Sequence, residues 1–364
     1  MLKLINTDNQ ARTGILKTKT RNIETPFFMP VATKTAVKYI DNFELNKIGI
    51  QCVISNAFIL SLKPGIRLIK KAKGIHKFSK LNTAIFTDSG GFQKIRESFF
   101  IKSTDKGVLF RSPFDGKKHL LTPKKLMNIQ NTLDSDVAMV IDDMPLHDES
   151  KAATIKAVER THKWAEECIK YHKNKKQLLF GIAQGGLYPD LREASAKFIS
   201  SLDFDGVAFG GLAIGEPSKQ TYKMINSQVK HFPENKTRYL MGVGCPEQII
   251  NAIDAGADCF DSTFPTQNAR HNTLFTSKGK LVIKNSKYKN DLKPLDKNCD
   301  CYVCQNFSRA YLRHLMKAKE PNALKYLSYH NIYFMNSFMK DIRTSIKENR
   351  FQKFKKDFLK NYKK

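Results

Sequence analysis

Short apolar runs recur along the chain, each ending in a polar residue or a glycine and each followed by a stretch with helical spacing. They lie at 27–31, 51–55, 83–87, 136–141, 177–183, 206–209, 238–241 and 258–260, eight in all. The clearest helical pattern between them spans 149–173, with Ala153, Ala157, Val158, Thr161, Ala165 and Cys168 along one face. Shorter helical stretches follow Pro123, Pro189, Pro217 and Pro246. Proline is tolerated in a first helical turn, where its missing N–H would have had no partner. Alternating strand and helix predicts a parallel sheet, and eight units predict a closed (β/α)8 barrel of the TIM type, with an open doubly wound sheet as the alternative.

In such a barrel chemistry sits at the C-terminal ends of the strands. The residues found there are Asn56, Asp88, Asp142, Asp143, Gln184, Gly210, Gly211, Gly242 and Asp261, which are the types that build a polar pocket. The most pointed of these stretches is Phe86-Thr87-Asp88-Ser89-Gly90-Gly91-Phe92-Gln93, an apolar run that ends in a carboxylate, two glycines and an aromatic ring. Taken alone, it also describes a tight turn with an exposed acid. Residues 101–122 predict an inserted hairpin, with Val108-Leu109-Phe110 and Lys118-His119-Leu120-Leu121 flanking Asp115-Gly116. From 277 onward lysines crowd at 278, 280, 284, 287, 289, 293 and 297. The last segment, 337–364, is basic and amphipathic, with Phe338, Ile342, Ile346, Phe351, Phe354 and Phe358 at helical spacings. The expected division is a barrel with its N-terminal extension at 1–276, an inserted metal-binding subdomain at 277–335 and a basic helix packing on the barrel at 336–364.

Charge changes the picture. With 62 Lys+Arg against 34 Asp+Glu, the 364-residue chain carries a formal charge of +28, which makes a polyanion the natural partner. A general drift of surfaces toward lysine is the competing explanation, and charge alone does not separate the two. The chain contains no apolar run near the length of a membrane span, and its first residues lack the layout of a signal peptide. A cytoplasmic protein with reduced thiols is therefore expected. Three of the seven cysteines, Cys299, Cys301 and Cys304, fall within six positions and are followed by His330. Three thiols and an imidazole suffice for a closed tetrahedral zinc shell, and a shell without an open position is structural rather than catalytic. His314 is the rival fourth ligand.

Together these residues resemble the tRNA-guanine transglycosylases. The resemblance covers nearly the whole chain. It rests on Asp88-Ser89-Gly90-Gly91-Phe92-Gln93, Gly181-Ile182-Ala183-Gln184-Gly185-Gly186, Gly210-Gly211-Leu212-Ala213-Ile214-Gly215-Glu216, Tyr239-Leu240-Met241-Gly242-Val243-Gly244, Phe260-Asp261 with Pro265-Thr266, and the cysteine cluster. It implies an enzyme that exchanges the wobble guanine of certain tRNAs for a deazaguanine base, working as a homodimer on the anticodon loop. It further implies Asp261 as the nucleophile toward ribose and Asp88 as the general acid/base. The base would meet Ser89, Gly90, Gly91, Phe92, Asp142, Gln184, Gly211, Leu212 and Met241. Guanine presents an acceptor carbonyl and a donor edge, so a carboxylate at Asp142 suits the donors, while the Gln184 amide and the Gly211 N–H suit the carbonyl. Phe92 and Met241 would sandwich the ring. RNA contacts are implied for Gly242, Val243, Gly244, Cys245, Pro246, Glu247 and Gln248, and for Thr266, Gln267, Asn268, Ala269 and Arg270.

Some positions depart from the common bacterial pattern. Gln267 stands where that pattern has an anticodon-contacting arginine, Ala57 and Ile59 where it has threonine and histidine, and Asp142-Asp143-Met144-Pro145 is one residue shorter than its counterpart. Phe260-Asp261-Ser262 and Ala269-Arg270-His271 are similar to chlamydial members. A bulky Ile214 where the eukaryotic pattern has glycine favours 7-aminomethyl-7-deazaguanine over the larger queuine, whereas Met144 and the shorter loop are neutral or pull the other way, which leaves both bases in play.

Overall fold

The computed structural model describes residues 2–90 and 99–362. Strands β1 (Leu2–Asp8), β2 (Ala11–Lys17) and β3 (Asn22–Thr25) form an antiparallel N-terminal sheet. Strands β4 (Phe27–Pro30), β5 (Cys52–Asn56) and β6 (Ala84–Asp88) open a second sheet, which an insertion interrupts. That insertion is an antiparallel sheet of β7 (Phe100–Thr104), β8 (Gly107–Arg111) and β9 (Lys118–Leu121). Strands β10 (Val137–Met139), β11 (Leu178–Ala183), β12 (Gly206–Phe209), β13 (Thr237–Leu240) and β14 (Cys259–Ser262) complete the second sheet, and β15 (Thr273–Thr276) pairs with β16 (Gly279–Val282) in a hairpin. The second sheet has eight strands in the order β4-β14-β13-β12-β11-β10-β6-β5, with every pair parallel. A parallel bridge between Val31 and Ile54 joins its two edges, so the strands close into the expected barrel.

All eight apolar runs are barrel strands. Helices Pro123–Leu133, Pro189–Ser201, Ser218–Val229 and Pro246–Asp254 follow the four prolines, and the long pattern is the helix Lys151–Tyr171. Side-chain oxygens start two of them: Thr122 accepts from the Lys125 N–H and Ser150 from the Ala153 N–H, each satisfying a donor the helix itself cannot.

One aromatic layer fills the barrel beneath its C-terminal mouth. Phe27, Phe86, Phe180 and Tyr239 come from alternate barrel strands, which is how four inward side chains share one level of an eight-stranded barrel. Phe86 lies at its centre, edge-on to Phe27 at 6.1 Å, to Phe180 at 5.5 Å and to Tyr239 at 6.1 Å between ring centroids. Burying each ring contributes roughly 2–3 kcal/mol. Room for Phe180 depends on Gly206, where a Cβ would stand 2.3 Å from the ring.

The other end is closed by charge. Arg12 of β2 is buried and donates to both carboxylate oxygens of Asp258, at 2.8 and 2.6 Å, and to the carbonyls of Glu234 and Lys236. Asp258 also accepts from the Arg238 N–H at 2.7 Å, so this ion pair is fully hydrogen-bonded, the condition under which a buried pair is tolerated. Asp136, before β10, ties the N-terminal segment to β6. Burial alone would push its carboxyl up, but hydrogen bonds from His76, the Thr20 N–H and the Ile85 N–H hold it down at about 2.

Past β16 the chain forms helices Tyr302–Asn306, Arg309–Ala318, Pro321–Lys347 and Phe351–Asn361. Helix Pro321–Lys347 runs straight through residue 335, so the expected boundary between subdomain and C-terminal helix lies inside one helix. The amphipathic pattern of 337–364 is broken instead at Asn349, whose φ of +52° reverses the chain between the last two helices. Arg343 donates to the Pro26 carbonyl at 2.8 Å and Asn336 to the Ile48 carbonyl at 2.8 Å, which clamps the long helix across the barrel wall. Among the described residues no helix is long and apolar enough to cross a membrane.

Candidate active site

The C-terminal ends of the strands converge on a cavity lined by Val31, Thr33, Ile54, Ser55, Asn56, Asp88, Tyr239, Met241, Gly242, Asp261, Ser262 and Thr263. A narrower space adjoins it, lined by Asp88, Asp142, Met144, Gly211, Leu212, Ile214 and Met241. Asp88 and Met241 belong to both walls, so the two spaces meet at that carboxylate and that thioether. The barrel thus brings Asp88, the last residue of β6, together with Asp261 of β14, 173 residues further along (261 − 88).

Asp261 is held from below. Its Oδ1 accepts from the Tyr239 hydroxyl at 2.6 Å and from the Gly242 N–H at 2.8 Å. Tyr239 is itself part of the aromatic layer, packed edge-on to Phe86, so packing in the barrel interior helps to fix the carboxylate's orientation. Burial raises the Asp261 pKa, against the lowering effect of those two hydrogen bonds. Asp88 is pushed further, to about 7. Burial is the main cause, Asp261 and Asp142 add to it, and hydrogen bonds from the Gly90 and Ser89 backbone oppose it. Two acids of one type, one bound by two donors and one raised toward neutrality, are how a site separates a nucleophile from a proton carrier.

The narrower space carries groups suited to a base edge. Asp142 is buried, and the Gln184 Nε2 donates to its Oδ2 at 2.5 Å. Gln184 is fully buried and its Oε1 has no hydrogen-bond partner among the described residues. Gly211 has a φ of +63°, and a Cβ there would lie 2.5 Å from that Oε1, so glycine is what lets this turn approach the amide. Leu212 is buried beside it and Ile214 closes the wall.

Arg192 and Glu216 support this turn, and sequence reasoning missed both roles. The buried Arg192 guanidinium donates to the carbonyls of Gly186 at 2.8 Å, Gly210 at 2.7 Å and Gly211 at 3.1 Å. Glu216 accepts from the Ala213 N–H at 2.5 Å, the Ile214 N–H at 2.9 Å and the Thr221 hydroxyl at 2.6 Å. For Arg192 the only cue was a charge on a helical face otherwise made of Ser195, Ala196 and Ile199.

Ser89 is buried, and Gly90 has a φ of +97° with Phe58 and Asn56 close against it. Gly91 and Phe92 lie outside the described residues. Met241 stands on the shared wall. Of the expected RNA-contacting residues, Gly242 lines the cavity and Cys245, Glu247 and Gln248 are partly exposed, whereas Val243, Gly244 and Pro246 are buried. On helix Phe264–Arg270, Gln267 is exposed, Asn268 and Arg270 are partly exposed, and Thr266 and Ala269 are buried. Arg270 donates to the Thr266 carbonyl at 3.1 Å.

Cys299, Cys301, Cys304 and His330 form one cluster that could hold a metal ion, their ligand atoms all within 4.8 Å of one another. The His330 Nδ1 lies 3.9, 3.5 and 3.4 Å from the three sulfurs. Tetrahedral zinc bonded to sulfur and nitrogen at its usual lengths places them about 3.6 Å apart, so the set fits that ion. The His330 Nε2–H donates to the Phe275 carbonyl at 2.7 Å, which leaves the Nδ1 lone pair for the metal. Beside it, Asn331 joins the carbonyls of Pro265 and Thr273 to the Phe275 N–H. The cluster is therefore coupled to the helix that follows Asp261.

Residues 8–364 match the family model described as Queuine tRNA-ribosyltransferase. A protein of that name from Fusobacterium nucleatum is 46% identical over 363 residues, 99% of this chain and 97% of its own length. Others from Caldanaerobacter subterraneus and Staphylococcus aureus are each 47% identical, covering 97% of this chain and 94% and 93% of theirs. The chain belongs to the queuine tRNA-ribosyltransferase family.

Proposed function

We propose that the chain replaces the wobble guanine of guanine-starting tRNA anticodons with 7-aminomethyl-7-deazaguanine, by two successive displacements at the ribose. The observation that carries this reading is the pair of acids: Asp88 and Asp261 line one cavity, and Asp88 also lines the space that holds Asp142.

In the first displacement an Asp261 carboxylate oxygen attacks ribose C1′, the bond from C1′ to guanine N9 breaks, and Asp88 gives its proton to the departing base. In the second, the ionised Asp88 takes the N9 proton of the incoming base, N9 attacks C1′, and the bond to Asp261 breaks. Each step inverts C1′, so the configuration is retained, as in glycosidases with two carboxylates. The base donors meet Asp142, its carbonyl meets Gln184 and the Gly211 N–H, and Met241 covers one face. An anticodon base must be splayed from its strand to reach this depth. Arg270, Gln267 and the lysines beyond 277 meet the RNA backbone.

Ile214 lines the base-side space and narrows it, which supports the smaller base over queuine. The test is displacement of labelled guanine from the anticodon of an otherwise unmodified tRNA. We expect 7-aminomethyl-7-deazaguanine to release the label at least about tenfold faster than queuine, since a bulky substituent without room costs more than about 1.4 kcal/mol. Turnover with queuine alone would reverse the base assignment, and no guanine exchange at all would end the enzymatic reading.

We assign one structural zinc per chain to Cys299, Cys301, Cys304 and His330. When bound, the ion supplies folding free energy rather than chemistry, because four protein ligands leave it no open position. Zinc-binding peptides gain about 10–16 kcal/mol from such sites. Cys301→Ser should therefore lose the metal, measured by elemental analysis, and should melt more than about 10 °C below wild type. A zinc-free protein that stays fully folded yet loses exchange would contradict the structural role.

A further inference from the structure

The inserted sheet β7–β9 takes no part in the chemistry above, yet it is fixed rigidly beside the cavity. Phe110 and His119 from β8 and β9 pack on Phe58, with ring centroids 5.0 and 6.1 Å away. Phe58 follows the cavity residue Asn56 by two positions and touches the site of Gly90. On the other side the Ser103 hydroxyl donates to Asp143 at 2.6 Å, Asp143 accepts from Arg160, and the Trp164 indole donates to the Asp105 carbonyl. Such an anchored insertion can present a loop at a fixed place.

The loop between β8 and β9 presents an aromatic ring. The Ser112 hydroxyl accepts from the Phe114 N–H at 3.2 Å, in a tight turn that leaves Phe114 40% exposed. The Lys34 Nζ lies 5.2 Å and the Lys63 Nζ 5.6 Å from its ring centroid. Lys34 immediately follows the cavity residue Thr33, and Lys63 lies on the loop side of β5. Both lysines are exposed, and neither makes an ion pair among the described residues. The nearby acid, Asp115, faces Lys117 at 3.7 Å. A single exposed phenylalanine needs no explanation. An exposed ring between two ammonium groups that have no ion pair among the described residues, at the rim of the cavity, is a different arrangement.

We propose that Phe114, Lys34 and Lys63 form a platform on the β4–β5 side of the mouth for a nucleotide next to the exchanged base. The inference rests on the tRNA reading of the cavity. Extruding one base strips its neighbours of stacking, and a rigid aromatic ring restores it. The lysine stems are flexible enough to turn from the ring face toward the flanking phosphates, leaving the face for the base.

The test measures binding of a guanine-starting anticodon stem-loop RNA to the full chain across a salt series, with base exchange on the same RNA in parallel. Phe114→Ala should weaken binding about tenfold and raise KM for RNA with kcat at saturation unchanged, the signature of lost uniform binding. Phe114→Trp should restore it and Phe114→Leu should not. Lys34→Ala with Lys63→Ala should flatten the plot of log affinity against log salt by about 1.4, at about 0.7 per single-strand phosphate contact. Wild-type exchange combined with unchanged affinity for Phe114→Ala overturns the platform alone, as does rescue by leucine. A wild type that neither binds nor exchanges overturns the tRNA reading and the platform with it.

Discussion

Asp261→Asn will abolish base exchange while leaving the fold and RNA affinity close to wild type. Asparagine matches the shape of aspartate, and its carbonyl oxygen can accept the same hydrogen bonds from the Tyr239 hydroxyl and the Gly242 N–H that Asp261 accepts at 2.6 and 2.8 Å. What it lacks is the anionic oxygen that would bond to ribose C1′. Removal of an enzyme nucleophile costs on the order of 10⁴-fold or more in kcat, and no water-mediated route replaces it when the acceptor must be another base. Single-turnover guanine exchange reads the loss, and a melt within a few degrees of wild type shows that it is chemical. Tyr239→Phe is the informative companion: it removes one donor from Asp261 and leaves the ring in its layer, so it should lower kcat without abolishing it.

Asp88→Asn carries the second largest effect, a drop of about 10²–10⁴-fold, the usual worth of a placed general acid/base. Its pH dependence is more telling than its size. Asp88 is raised to about 7, so departure of guanine, which needs the protonated acid, should slow as pH rises through about 7. Attack by the incoming base needs the ionised form and should speed up over the same interval. The overall rate should peak near 7, and both limbs should flatten in Asp88→Asn. Stability follows the same titration. Between the unfolded carboxyl pKa near 4 and about 7, the native state holds a proton that the unfolded chain has released, so wild type loses stability as pH rises. Asp88→Asn should therefore melt a few degrees higher than wild type at pH 8, with the difference closing by about pH 4. A melting difference that grows on acidification would contradict the raised pKa.

The barrel was legible because its strands are buried on both faces and read as unbroken apolar runs that stop at the mouth. That same stop marked Asp88, Asp142, Gln184 and Asp261 before any contact was known. The N-terminal sheet was not legible, because β1 buries little of its length and exposes Leu4 and Ile5. Its anchor, Arg12, is an ordinary charge in sequence and becomes a buried ion only when Asp258, 246 residues away, is beside it. Tyr239 stands in a legible motif, but its hydroxyl's role depends on which barrel level the ring occupies. The C-terminal pattern of phenylalanines gave the helical face and hid the reversal at Asn349, since the spacing continues across it. In the insertion, Asp115-Gly116 exposed the hairpin, whereas the third strand β7 carries no alternation clear enough to separate it from a loop.

The central claim is a covalent bond between Asp261 and ribose, and intact-protein mass spectrometry of enzyme quenched during turnover on an anticodon stem-loop RNA tests it most directly. Wild type should gain the mass of the RNA less guanine, peptide mapping should place it on the segment holding Asp261, and Asp261→Asn should gain nothing. An adduct that persists in Asp261→Asn, or that maps to Asp88 in wild type, would contradict the assignment.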